Sequence, residues 1–149
     1  MWGMVLSSGE IFLTPMEGKQ NSLKYKAILS NYAVPIIREK LDDDFYFQQD
    51  NCSIHVSKEM KKYFATEDIH VIDWPARSPD LNIMENIWKL ISDEVYSGPQ
   101  PTNKSILRQK IDDAVKLINT EKTEMIKDLF NNFRTRLTKV LRNNGNIIN

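Results

Sequence analysis

Two short β-prone segments, Phe45–Asp50 and His70–Trp74, flank one amphipathic helix, and that pattern constrains the fold more than any other feature. In the first segment, alternation puts Phe45 and Phe47 on one face and Tyr46, Gln48 and Asp50 on the other. Pro75 stops the second segment. Between them Ser57 is placed to cap a helix carrying Met60, Tyr63 and Phe64. Upstream, the apolar runs Met4–Leu6 and Ile11–Leu13 around Ser8-Gly9 predict a β-hairpin. Ser22 is expected to cap a helix through Tyr25, Ala27, Ile28 and Tyr32, with Pro35 kinking it or starting a second helix. Downstream, Asn82 with Glu85 three residues on makes a capping-box pattern before Ile87, Trp88, Ile91 and Val95. Ser97-Gly98-Pro99-Gln100-Pro101 breaks that helix. Two more amphipathic helices are expected, one through Ile106, Ile111, Ala114, Val115 and Ile118. The other runs through Met125, Ile126, Leu129, Phe130, Phe133, Leu137, Val140 and Leu141. Hairpin, helix, strand, helix, strand and then helices is an α/β order. It divides into a hairpin at 1–15, a core at 22–96 and C-terminal helices at 103–143.

At 149 residues the chain is long enough for one domain with its own core. It has no apolar run long enough to cross a membrane, and its first six residues are too short and uncharged for a signal peptide, so an intracellular protein is expected. The single cysteine, Cys52, excludes an internal disulfide and a multi-cysteine zinc site. Lys+Arg and Asp+Glu balance at 20 each, unlike a strongly basic nucleic-acid binder. The exception is the stretch from Asn131, where Arg134, Arg136, Lys139 and Arg142 occur without an acid. That stripe is a solvated helix face or a phosphate-contacting one.

Asp50 and Glu85 are the pair best suited to chemistry. Carboxylates at strand and helix ends suit Mg²⁺, which takes hard oxygen ligands. Each also has a structural explanation: Asp50 as a turn residue, Glu85 as the capping partner of Asn82. Cys52 and His55 have C-x-x-H spacing, which without a second cysteine pair reads as a turn rather than a zinc site, and His55 as a capping or packing residue.

Taken together, Phe47-Gln48-Gln49-Asp50-Asn51 with His55, Asp73-Trp74-Pro75, and Ser78-Pro79-Asp80-Leu81-Asn82 with Glu85-Asn86 and Trp88 closely resemble the catalytic domain of mariner-superfamily DDE transposases. The 34 residues between Asp50 and Glu85 match the Asp-Asp-Glu branch. Met1-Trp2-Gly3, Lys24-Tyr25, Ala27-Ile28-Leu29 and Asn132 to Leu137 extend the resemblance over nearly the whole chain. The sequence departs from the family at Cys52-Ser53, where Ala-Pro is usual, and at Ile83, where Pro is usual. Neither change removes a carboxylate.

The resemblance implies an RNase H-like α/β fold, truncated so that the first, central strand is lacking, and with it the first catalytic aspartate. Asp50 and Glu85 would then be the second and third carboxylates, catalytic and metal-binding, with Asn51 and His55 in support. A complete site would hold two Mg²⁺ or Mn²⁺ ions. The implied activity is DNA transposition: hydrolysis at the element's ends and strand transfer into a TA target. Partners would be DNA and a second copy of the chain, in the nucleus, with no membrane. Arg134, Arg136, Lys139 and Arg142 would contact DNA. Without the central strand the expectation is that the hairpin shifts to pair with the Asp50 strand or that the chain folds poorly alone, with weak metal binding and no cleavage by itself. The alternative is a catalytically inactive, transposase-derived protein that associates with DNA or another partner.

Overall fold

The computed structural model describes residues 1–41, 44–75, 78–133 and 135. In chain order these form β1 (Trp2–Val5), β2 (Ile11–Thr14), α1 (Ser22–Ile28), a π-helical turn (Leu29–Ala33), α2 (Val34–Lys40) and β3 (Tyr46–Phe47). There follow α3 (Lys58–Thr66), β4 (His70–Val71), a 3₁₀ turn (Pro79–Leu81), α4 (Ile83–Val95), α5 (Lys104–Glu121) and α6 (Thr123–Asn131). The chain divides into two compact units: Met1–Pro15 together with the chain from Ser78 onward, and Met16–Arg77.

In the first unit β1 and β2 pair antiparallel, from Trp2 opposite Thr14 to Val5 opposite Ile11. The turn closes through Leu6 N–H to Glu10 O and Gly9 N–H to Leu6 O, both 2.9 Å. Gly9 sits at φ +89°, a conformation glycine adopts without a Cβ penalty. Ile83, Ile87, Ile91 and Val95 recur every four residues and form the buried stripe of α4. They pack with Ile11 of β2, Ala114 and Ile118 of α5, and Ile126 of α6. Two side chains tie these elements together. Asn119 accepts from Ile11 N–H at 2.8 Å and donates to Ile11 C=O at 2.9 Å, satisfying both backbone groups of an edge residue. Lys110 Nζ donates to the carbonyls of Val95 (3.1 Å) and Pro99 (2.6 Å), placing a cation at the C-terminus of α4. Two residues expected on apolar stripes, Ile106 and Met125, are exposed, because each falls in the first turn of its helix. Helix α6 ends at Asn131; Leu137, Val140 and Leu141 lie outside the described residues.

In the second unit the cap of α1 is Asn21, not Ser22: its side chain accepts from Lys24 N–H at 2.9 Å, and Ser22 is the first helical residue. Pro35 acts one residue later than the first helical position, at the second residue of α2. The preceding turn widens into a π-helix, with Val34 N–H bonded to Leu29 C=O. That widening suits a proline that has no N–H and crowds the carbonyl four residues back. Ser57 caps α3 through Met60 N–H, and Met60, Tyr63 and Phe64 are buried as expected. Helix α3 ends in a Schellman arrangement. Asp68 adopts φ +53°, Ile69 N–H bonds to Phe64 C=O at 2.9 Å, and buried Ile69 turns the chain into β4.

The strands of this unit are shorter than expected. β3 and β4 pair in parallel over two residues each, Tyr46 with His70 and Phe47 with Val71, and Ile72 N–H to Phe47 C=O adds one further bond. Among the described residues the ladders form two two-stranded sheets, β1 with β2 and β3 with β4. With a single neighbour, the alternating segments on either side of the ladder have no partner to extend them.

Candidate active site

Because β3 ends at Phe47, Asp50 stands in the loop three residues beyond it rather than at a strand end. Its Oδ1 accepts from Cys52 N–H at 3.1 Å, an Asx turn that reverses the chain. Cys52 C=O then accepts from His55 N–H at 2.8 Å and Val56 N–H at 3.2 Å. These bonds bring His55 round so that its Nδ1 lies 2.6 Å from Asp50 Oδ1. A proton on Nδ1 makes imidazole the donor to the carboxylate oxygen.

The loop is anchored from three sides. Asn51 Nδ2 donates to Trp74 C=O at 2.7 Å, fastening it to the segment after β4. Gln49 Nε2 donates to His55 C=O at 3.3 Å, while Gln49 Oε1 accepts from Tyr25 O–H at 2.8 Å. The Tyr25 ring lies 4.2 Å from the imidazole of His55, centroid to centroid. Burial first, then the charges at Asp50 and Cys52, push the Tyr25 phenol well above its ordinary range, which keeps it a hydrogen-bond donor. The Asp50 side chain remains 58% exposed and that of His55 21%. A half-immobilised, solvent-facing carboxylate is therefore presented on a braced loop.

Glu85 belongs to the first unit, where it lies in the first turn of α4. The 3₁₀ turn delivers Asn82 to the cap position, where its side chain accepts from Met84 N–H at 3.2 Å. Ile83 occupies the first helical position and is buried in the core, so a residue other than proline serves there. The backbone N–H of Asn82 donates to Pro79 C=O at 2.9 Å. That bond uses the donor a capping box would offer to Glu85. The reciprocal half of the box is absent: Glu85 donates its backbone N–H to Asn82 C=O at 3.1 Å, and its exposed side chain makes no capping bond among the described residues. The helix N-terminus favours a negative charge there.

The structure thus brings Asp50, Asn51 and His55 together in one unit and places Glu85 in the other. Arg134, Arg136, Lys139 and Arg142 lie outside the described residues. Sequence reasoning missed Tyr25, Gln49 and the Trp74 carbonyl as braces of the loop. Only Gln49, beside Asp50, carried a local signal. It also missed that Asp50, Cys52 and His55 each offer a ligand atom within 4.8 Å of the other two.

Residues 1–108 match the family described as DDE superfamily endonuclease. The chain is 37% identical over 151 residues to the Tc3 transposase of Caenorhabditis elegans, covering 100% of this chain and 45% of that protein. It is 33% identical over 95 residues to the Tcb2 transposase of Caenorhabditis briggsae (64% and 35% covered) and 26% identical over 145 residues to the Tc1 transposase of Caenorhabditis elegans (97% and 52% covered). The chain therefore spans about half the length, or less, of these relatives. Its fold matches the crystal structure of the catalytic domain of Mos1 mariner transposase with a TM-score of 0.77 at 16% identity, over 96% of this chain and 72% of that one. The architecture is accordingly RNase H-like, with two two-stranded sheets among the described residues.

Proposed function

This chain belongs to the DDE superfamily endonucleases, among relatives of the Tc1/mariner type, and from that premise we propose that it serves DNA transposition, with Asp50 and Glu85 as the second and third carboxylates of the metal-binding set. The observation that carries this reading is the release of Glu85 from helix capping. Its one structural employment is taken by Pro79 C=O, which leaves an exposed carboxylate at the motif position. Asp50 supports the reading in a different way. Its bonds to Cys52 and His55 both fall on Oδ1, and Oδ2 is unengaged among the described residues.

The donors fit Mg²⁺ or Mn²⁺, because both side chains offer hard carboxylate oxygens. When bound, two such ions supply positive charge at the attacking and leaving oxygens of a phosphodiester. The protein's own part is positional. His55 orients Oδ1 of Asp50, Asn51 fixes the loop to the chain after β4, and Tyr25 holds the imidazole plane. The substrates would be element-end DNA and a TA target, met in the nucleus and handled with a second copy of the chain. Arg134, Arg136, Lys139 and Arg142 would add phosphate contacts.

The test is Mn²⁺ binding by electron paramagnetic resonance, with cleavage of element-end DNA followed on gels, for the protein and for Asp50→Asn and Glu85→Gln. Mn²⁺ binding is expected, and it is weakened in each variant. Any cleavage must be lost in both. Mn²⁺ affinity unchanged in both variants, or cleavage that survives either one, sinks the assignment.

A further inference from the structure

We propose that Asp50, Cys52 and His55 form a three-ligand site for a soft divalent cation of the Zn²⁺ class, with the Cys52 thiolate as its selective ligand. The cysteine does not stand alone: a carboxylate oxygen and an imidazole nitrogen each lie within 4.8 Å of its sulfur and of one another. Zinc takes Cys sulfur at about 2.3 Å, His nitrogen at about 2.0–2.1 Å and Asp oxygen at about 2.0–2.2 Å, which sets tetrahedral ligand separations of roughly 3.3–3.7 Å. Reaching them from this geometry needs only about an ångström of movement. The 2.6 Å contact between His55 Nδ1 and Asp50 Oδ1 must open slightly, and the sulfur must close in. Asp50 and Cys52 are exposed, so their side chains rotate without disturbing a packed core.

The backbone already has the form such a site requires. The N–H groups of His55 and Val56 donate to Cys52 C=O and fold the C-x-x-H segment into one turn, and the bond from Cys52 N–H to Asp50 Oδ1 brings the third ligand back over it. The Tyr25 ring lies against the imidazole and Gln49 Nε2 donates to the His55 carbonyl, which together limit where the ring can sit. The fourth position faces solvent and suits a water. Binding releases the thiol proton to solvent, and the Nδ1 proton of His55 passes through solvent to Nε2, so that the Asp50–His55 hydrogen bond is replaced by two bonds to the ion. Thiolate and imidazole favour zinc over Mg²⁺, which avoids sulfur.

This site stands independently of the DNA-cleavage reading. Where that reading also holds, zinc occupancy withdraws the Asp50 carboxylate and inhibits cleavage.

The experiment titrates the full chain with Co²⁺, whose thiolate charge-transfer band reports sulfur ligation, then displaces it with Zn²⁺. The expected result is one ion per chain, retained against a large excess of Mg²⁺. Cys52→Ser and Cys52→Ala should remove the band. His55→Ala and Asp50→Asn should each weaken binding by more than the 10–100-fold typical of losing an outer partner. Far-ultraviolet circular dichroism confirms that each variant folds. The proposal is overturned by absence of the band in folded protein, or by one ion per two chains. A band and affinity unchanged in both His55→Ala and Asp50→Asn would also overturn it, since the thiol alone would then hold the ion. Loss of Mn²⁺ binding in Glu85→Gln with zinc binding intact would separate this site from the proposed function.

Discussion

Substituting Gly9 by alanine tests the join between the hairpin and α6. A Cβ built on Gly9 falls 2.3 Å from the carbonyl oxygen of Thr123 and 3.0 Å from its C and Cα atoms. All three are backbone atoms, so no rotamer change relieves the overlap, and the start of α6 or the turn itself must move. Gly9 also sits at φ +89°, where an L-residue is strained by about 1–2 kcal/mol. Adding about 1–3 kcal/mol for overpacking gives a loss of about 2–5 kcal/mol. Domains are stable by only about 5–15 kcal/mol, so this is a large fraction. Urea unfolding followed by the fluorescence of Trp2 and Trp88 should show a midpoint lower by roughly 1–2 M with little change in slope. Two other glycines of the same unit calibrate the result. Gly98 has open space around it, and Gly98→Ala should shift stability by no more than about 0.5 kcal/mol. At Gly3 the added Cβ meets only side-chain ends, Leu13 Cδ2 at 2.6 Å and Trp88 Cη2 at 3.0 Å, at an ordinary φ, so Gly3→Ala should cost less than Gly9→Ala. A Gly9→Ala midpoint indistinguishable from that of Gly98→Ala would refute the reasoning.

Other expectations follow from single contacts. Asn119→Ala leaves both backbone groups of Ile11 without their partner and should cost about 1–3 kcal/mol, read by the same unfolding assay. Asp68→Gly relieves a left-handed backbone at the end of α3 and should stabilise the protein by up to about 1 kcal/mol in the same unfolding assay. Tyr25 gives a pH dependence. Its folded pKa is raised, so its contribution is fully present below the unfolded value near 10.0 and is lost as pH rises above it. Stability of the protein should fall from about pH 10 upward, and less steeply in Tyr25→Phe, whose stability at neutral pH is lower by about 1 kcal/mol for the lost bond to Gln49. Equal alkaline slopes in the two proteins would contradict that account.

How far the sequence reveals the structure depends on how local the deciding interaction is. The stripe Ile83, Ile87, Ile91 and Val95 was readable because helical spacing alone decides which face is buried. The cap at Ser57 was readable for the same reason, since a side chain three residues before Met60 N–H is already in reach. Asn21 and Ser22 are both good caps, and where the helical run begins decided between them. The strands were overdrawn because alternation shows what a segment can bury, whereas ladder length is set by the number of neighbours.

The site divides along the same line. Asp50 and Glu85 stand out by residue type, spacing and resemblance. Whether Glu85 was needed for capping turned on one backbone bond, from Asn82 N–H to Pro79 C=O, that a 3₁₀ turn creates and no capping-box pattern encodes. The Asp50–Cys52–His55 cluster was harder still to read. The spacing of Cys52 and His55 indicates a turn, but the orientation of the imidazole depends on the ring of Tyr25, 30 positions upstream, and on Gln49, whose amide Tyr25 in turn holds. A three-donor cluster formed by a tertiary contact leaves only its donors in the sequence, with nothing to show that they meet.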